Sequence, residues 1–309
     1  MTIQAPLESE SMHSVKGLIA VVTGAGSGIG QIMATALEHN GAKVYILGRT
    51  LEKLKETVAR AKFGNIIPIQ ASVTSHDDLQ RAVDRIRDEE GYINLLINNA
   101  GISTPNLGPP NTRPGPKWSL GRVRDYWFSR SYEDYLAVMQ TNTVANLIVS
   151  FAFLELLDQG NKMREAEAAL RPNLNPATAK MRSWVSSQII TTSSIGGFGR
   201  DHAAFIYNAS KAATTHMMKH LATYLVPFGI RSNIIAPGFW HTGMTDDVAR
   251  GIALTGGAVP KTLIPEQRFG TEQEMGGTIV YLASPAAGYC NGSVFVIDGG
   301  YLTNHPSTY

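Results

Sequence analysis

The chain has 309 residues, with 27 Lys plus Arg against 25 Asp plus Glu and a formal net charge of +2, a balance that lacks the basic excess by which nucleic-acid binders hold phosphates. Charged residues make up 17% and hydrophobic ones 43%, against roughly 25% charge in an average soluble domain, so disorder over most of the length is excluded and one large domain is expected. The lone Cys290 excludes an intramolecular disulfide framework and a thiolate metal cluster; it suits a reducing compartment, with the cytoplasm as the expected location and no metal.

Residues 1–16, MTIQAPLESESMHSVK, carry acids and no apolar block of signal-peptide length, and are expected to form a polar, flexible arm ahead of a single domain over 17–309. LIAVVTG then reads as a first strand, and GIGQIMATALEHNG as a helix whose Ile29, Met33, Ala36 and Leu37 recur at helical spacing before Gly41. KVYILGR, a helix over Leu51–Lys62, NIIPIQAS, a helix over Asp77–Asp88 and INLLINNAG continue the alternation that builds parallel βαβ units. After Gly101 the rhythm breaks into a Pro- and Gly-rich insertion at about 102–130, expected to be loop. A helix starting near Ser131 runs into an apolar stretch, and Asp158–Ser183 is expected to be a second, irregular insertion with one short amphipathic helix over Lys162–Leu170, at the end of the sheet away from the site. The longest apolar run, Leu147–Leu157, is broken by Ser150 and Glu155 and is far shorter than the roughly 20 residues that span a bilayer, so no membrane partner is expected. WVSSQIITTSS, a helix over Tyr207–Leu225, GIRSNIIAPG, a helix opened by the capping box Thr271 to Glu274, and SVFVIDGG complete the chain. The expected fold is α/β, a single-domain doubly wound parallel sheet of Rossmann type with helices on both faces.

Thr23-Gly24-Ala25-Gly26-Ser27-Gly28-Ile29-Gly30 falls at the junction of the first strand and first helix. Glycines there permit a tight turn and let the backbone approach a pyrophosphate, which the helix N-terminus attracts with free N–H groups and its dipole. The backbone at Gly24, Ser27, Gly28, Ile29 and Gly30 is therefore the candidate cradle. The second strand ends in Leu47-Gly48-Arg49 with no acid to hold a ribose 2′-hydroxyl; the guanidinium of Arg49 suits a 2′-phosphate, which favours NADP(H) over NAD(H). Tyr207 and Lys211 lie four apart on one helix face, where a cation favours phenolate and brings the phenol toward use as an acid or base. As an isolated pair they fit a surface helix with a solvated lysine equally well.

Taken with Asn98 to Gly101 (NNAG), Asn142, Ser194 thirteen residues before Tyr207, YNASK, and Pro237 to Thr242 (PGFWHT), these motifs resemble the short-chain dehydrogenase/reductase family over about residues 16–300. The resemblance, which is also similar to fungal members of secondary metabolism, implies that Tyr207 is the general acid or base, that Lys211 lowers its pKa and bonds the nicotinamide ribose, that Ser194 orients the substrate oxygen, and that Asn142 holds a water in a proton relay. It also implies that Asn99, Ala100 and Gly101 pass the adenosine ribose, and that the backbone around Pro237, Gly238 and Trp240 and the hydroxyl of Thr242 hold the carboxamide. Where the family usually has an Asp for the adenine amino group, this chain has Ser72 before Val73, leaving that contact weaker or made by a neighbour. The segment from Phe239 to Phe269 would bind substrate, and its Trp240, Met244, Leu254, Val259 and Leu263 suggest a moderately large apolar carbonyl or alcohol. The family's assembly faces imply a homodimer or homotetramer. Two other functions remain open: a dehydratase, isomerase or cyclase that uses Tyr207 for proton transfer with a structural nucleotide, and a non-enzymatic nucleotide-binding scaffold.

Overall fold

The computed structural model describes residues 7–104, 112–115, 117–169, 185–200, 204–254 and 257–308. Seven strands form one parallel sheet: β1 Ile19–Thr23, β2 Lys43–Gly48, β3 Ile66–Gln70, β4 Leu95–Asn98, β5 Gln188–Thr192, β6 Arg231–Pro237 and β7 Val294–Ile297, in the order β3-β2-β1-β4-β5-β6-β7. The chain leaves β1 toward one edge and returns at β4 to build the other. This reversal opens a crevice at the carboxyl ends of β1 and β4, where doubly wound sheets bind ligands.

A period of two along the strands decides the layers. Ala20 and Val22, Val44 and Ile46, Leu95 and Ile97 face one side of the sheet with Ile190 and Ile235, against α2 (Gly28–His39) and α11 (Glu272–Ala283). Ile19 and Val21, Tyr45 and Leu47, with Leu96, Ile189 and Ile234, face the other side, against α4 (His76–Glu90), α7 (Ala145–Ala152) and α9 (Phe205–Tyr224). A third cluster joins Ile195, Val259, Ile264, Phe269, Tyr301 and Leu302 into a roof over the carboxyl end of the sheet.

Three segments depart from the expectations. Within the proposed arm, Ser9–Met12 form one helical turn, α1, and Val15 is fully buried in the first core layer, with Leu18 packed against the same layer just before β1. The insertion at 102–130 is not all loop: Leu120–Phe128 form α5, capped by Ser119, whose hydroxyl accepts from the Arg122 amide. The stretch from Asp158 is helical rather than irregular, since α8 runs unbroken from Leu154 to Ala169 and absorbs the short helix expected over Lys162–Leu170; the remainder of that insertion lies outside the described residues. The other helices are α3 (Leu51–Val58), α6 (Tyr132–Met139), α10 (Asp246–Leu254) and α12 (Tyr301–Asn304). No single described helix is long and apolar enough to cross a membrane.

Candidate active site

The turn after β1 is shaped for a close ligand. Gly24 has φ +66°, and a Cβ there would come within 2.7 Å of the Ala100 Cα, so β1 and β4 approach each other at that residue only as glycine. Thr23 locks this junction: its Oγ1 donates to the Ile97 carbonyl and accepts from the amides of Asn99 and Ala100 at 3.0 and 3.1 Å. The Asn99 amide group donates back to the carbonyls of Thr23 and Gly24. Ser27 is the N-cap of α2 with its hydroxyl free of a capping bond, and the amides of Gly28, Ile29 and Gly30 occupy the first turn, where N–H groups lack intrahelical acceptors. Gly28, at φ +58°, faces Thr242, whose Cγ2 would lie 3.1 Å from an added Cβ. The glycine turn, the β4 tip and the PGFWHT segment thus converge on one crevice.

Arg49 is exposed at the tip of β2, and among the described residues its guanidinium has no hydrogen bond or ion pair; only its carbonyl is used, by the Gln70 amide group. Ser72 and Val73 follow β3, with the Ser72 amide donating to the Asp78 carboxylate, which is held below the usual carboxylate range by that bond first. Gly238 sits at the end of β6 with its amide on the Ile297 carbonyl at 2.8 Å, and a Cβ would meet the Asp298 Cα at 2.7 Å. The Trp240 side chain differs from the expectation that it lines the substrate segment: its ring is buried in the first core layer over Gly270, with the indole N–H donating to the Thr271 carbonyl at 3.1 Å. A large ring with one polar edge is more stable where both are satisfied. Val259 is likewise packed inside the roof, whereas Met244 is exposed and the side chain of Leu254 lies outside the described ones.

Ser194 follows β5 and caps a short 3-10 turn, Ile195–Gly197, by accepting from the Gly196 amide at 3.0 Å. Tyr207 and Lys211 stand on the inner face of α9. The Lys211 ammonium is buried, donates to the Thr192 carbonyl at 2.8 Å and lies 5.9 Å from the centre of the Tyr207 ring. Burial lowers the Lys211 pKa to about 8. Burial of the Tyr207 hydroxyl raises its pKa, and a hydrogen bond with Ser194 opposes that rise. The expected lowering by Lys211 is not the acting cause in the protein alone: at 5.9 Å, with its charge turned to the Thr192 carbonyl, the ammonium does not offset desolvation.

Asn142 lies in a π-helical turn, Gln140–Val144, between α6 and α7. Its side chain clamps Ile102, accepting from that amide at 2.8 Å and donating to that carbonyl at 2.9 Å, and also donates to Ser210 Oγ. Its carbonyl, released from regular helix pairing, accepts from Asn146 and Thr214. A Cβ on Gly101 would sit 3.2 Å from the Asn142 Oδ1 and 3.5 Å from the Lys211 Nζ, so this glycine keeps open the space around the lysine. Thr192 Oγ1 and Thr104 Oγ1, both buried, have no partner among the described residues. Thr23, Ser210 and Asn146 were not singled out in the sequence, although Thr23 opens the glycine motif and Ser210 stands inside YNASK. Among the described residues no cluster of three metal-ligating side chains occurs.

A nicotinamide dinucleotide fits these residues: a glycine turn with unpaired amides, an open space at Gly101, and a buried ammonium and hydroxyls at the far end of one crevice. Residues 18–164 match the family profile described as short chain dehydrogenase, and residues 173–302 the one described as Enoyl-(Acyl carrier protein) reductase. The short-chain dehydrogenase/reductase VdtF of Byssochlamys spectabilis is 59% identical over 303 residues, spanning 98% of each chain. PhomF of Diaporthe leptostromiformis, also a short-chain dehydrogenase/reductase, is 42% identical over 312 residues, spanning 100% of this chain and 99% of its own. Among solved structures, the Pseudomonas aeruginosa RhlG/NADP active-site complex superposes with a TM-score of 0.74 at 28% identity, over 94% of this chain and 98% of that one. The chain belongs to the short-chain dehydrogenase/reductase family.

Proposed function

We propose that this oxidoreductase moves hydride between NADP(H) and the carbonyl carbon, or the matching secondary alcohol, of a moderately large apolar small molecule. The observation that carries the proposal is the enclosure of the Lys211 ammonium beside Tyr207 and Ser194 at the far end of the crevice that the glycine turn opens. The nicotinamide, when bound, supplies or accepts the hydride. The phenol of Tyr207, whose pKa burial raises, gives its proton to the substrate oxygen in reduction and takes it back in oxidation. Ser194 holds that oxygen by a hydrogen bond. Lys211, beside the gap at Gly101, would hold the nicotinamide ribose, and Asn142 fixes the segment after β4 that borders the gap by clamping Ile102.

Arg49 carries the preference for NADP(H): it is a cation at the β2 tip with no partner for its guanidinium among the described residues, and a solved relative at 28% identity is an NADP complex. The substrate is proposed to be a small apolar carbonyl compound, the assembly a homodimer or homotetramer, and the location cytoplasmic. Titration with NADPH and with NADH, followed by nicotinamide fluorescence, tests this directly. The expected result is NADPH binding tighter by about tenfold, or 1.4 kcal/mol, and loss of that margin in Arg49→Ala. Equal affinities would overturn the assignment of Arg49, and binding of neither would overturn the dinucleotide site. Oxidation of NADPH by a bulky apolar ketone, abolished in Tyr207→Phe with binding intact, separates hydride transfer from proton transfer alone.

A further inference from the structure

The last residues of the chain return to the active site. Asp298 starts this return, accepting with its carboxylate from the amides of Gly300 and Leu302. In α12, Tyr301 is buried and stacks on His305, with ring centres 3.9 Å apart. His305 also meets the Leu263 carbonyl through Nε2 at 3.1 Å, and Asn304 donates to the Lys261 carbonyl. Beyond it, the Arg200 amide donates to the Pro306 carbonyl at 2.8 Å, Gly199 and Ser307 pair as an antiparallel bridge, and the Thr308 amide donates to the Phe198 carbonyl at 2.9 Å. The extended segment paired in this way grips Phe198–Arg200, which lie between Ser194 and Tyr207 in the sequence, and ties them to the segment after β6.

We propose that His305–Thr308 are a positioning strap: by pairing with the connection between the two catalytic hydroxyls, they hold Ser194 and Tyr207 in register with the roof at Lys261–Ile264, and so set the turnover of substrate without touching the nucleotide site. The function assigned to the strap rests on the oxidoreductase reading; its grip on the loop does not. Main-chain hydrogen bonds carry the grip, with the Thr308 hydroxyl adding a longer donation to the Phe198 carbonyl at 3.3 Å, which makes proline the discriminating substitution. Thr308→Pro removes both donors to Phe198, whereas Thr308→Ala keeps the amide donor and loses only the hydroxyl, and Thr308→Ser keeps both.

The test compares the full chain, Thr308→Ala, Thr308→Pro and a chain ending at Asn304, using amide hydrogen exchange at Phe198–Arg200, NADPH titration, and NADPH oxidation with 1-tetralone as a bulky apolar ketone. Truncation and the proline variant are expected to speed exchange of the Arg200 amide and to cut kcat by about tenfold, the scale of a small misplacement of reacting groups, while NADPH affinity stays within about twofold of the full chain and Thr308→Ala, which loses only the 3.3 Å hydroxyl bond, stays within about twofold of the full chain in kcat. Unchanged exchange at Arg200 after truncation would overturn the strap. Faster exchange with kcat unchanged would overturn its role in turnover. A full chain that fails to bind NADPH or to reduce any ketone would count against the oxidoreductase reading, while exchange still decides the grip.

Discussion

Lys211 is where stability and chemistry pull in opposite directions. Its ammonium is buried with one neutral acceptor, the Thr192 carbonyl, and its pKa is lowered from 10.5 to about 8. The unfolded chain therefore holds this proton through the window from pH 8 to 10.5 while the folded chain loses it, so stability contributed by this group rises with pH across that window. The size is on the order of 3 kcal/mol, at 1.36 kcal/mol for each unit of pKa. Lys211→Met is expected to flatten that rise in urea titrations between pH 7.5 and 9.5 and to lower kcat by at least about a hundredfold, the scale of a general acid–base contribution. A variant that kept the native pH slope would place the shift on another group. Tyr207 acts in the opposite sense above pH 10, since its raised pKa holds the proton in the folded state after the unfolded chain has lost it. Most of this site was legible as residue types at fixed spacing: Ser194, Tyr207, Lys211 and the glycines are brought to one crevice. What spacing could not show is orientation. Trp240 turns into the core because Gly270 leaves a slot beneath its ring, and Asn142 spends its amide group on Ile102.

At the scale of elements, the alternation of β-branched runs and helical periods was enough to place all seven strands, since buried parallel strands must be apolar and helices must turn one stripe inward. The misses share a cause. α5 and the Asp158–Asn161 turn of α8 carry weak or mixed patterning, and local capping by Ser119 or continuity with the helical turns on either side decides their structure, which composition alone does not reveal. The π turn at Gln140–Val144 was equally hidden, because its stabilisers, Asn146 and Thr214, are recruited from the next turn and from α9. Where a local signal was explicit it held: Thr271 accepts from the Glu274 amide and Glu274 accepts from the Thr271 amide. The Arg268 hydrogen bond, followed by those from Thr271, holds the Glu274 pKa down to about 2. Stability from this depressed carboxylate is present above about pH 4.5 and is lost as pH falls toward 2. Thr271→Ala is expected to cost about 1 kcal/mol in urea denaturation at pH 7, the usual loss of a helix cap, with NADPH affinity unchanged because α11 touches α2 through Ala36 and Gly276, away from the glycine turn. A loss of NADPH affinity would show that the packing of α11 positions the turn.

Across the whole molecule, apolar side chains remain uncovered on one side. Tyr132, Leu136, Val144 and Phe151 on α6, the π turn and α7 are 82, 64, 50 and 44% exposed, and Tyr224 on α9 is 63% exposed with its ring 6.4 Å from that of Phe151. A groove of about 700 Å³ lined by Arg124, Trp127, Phe128, Tyr135, Phe205 and Ile206 adds to the apolar exposure at the start of α9. Soluble monomers rarely leave so many large apolar groups together, whereas self-association buries them at about 25 cal/mol for each Å². This face lies on the side of α9 away from Lys211, so pairing of two chains through it would brace the catalytic helix from behind without closing the crevice. Phe151→Glu combined with Tyr224→Glu places like charges on both sides of such an interface, where desolvation and repulsion oppose association. In analytical ultracentrifugation the native chain is expected to sediment as two or four copies and the double variant as one, with NADPH binding retained. A native protein that sediments as a single chain would leave these side chains exposed in solution and remove assembly as their explanation, whereas a double variant that still assembles would move the interface to another face.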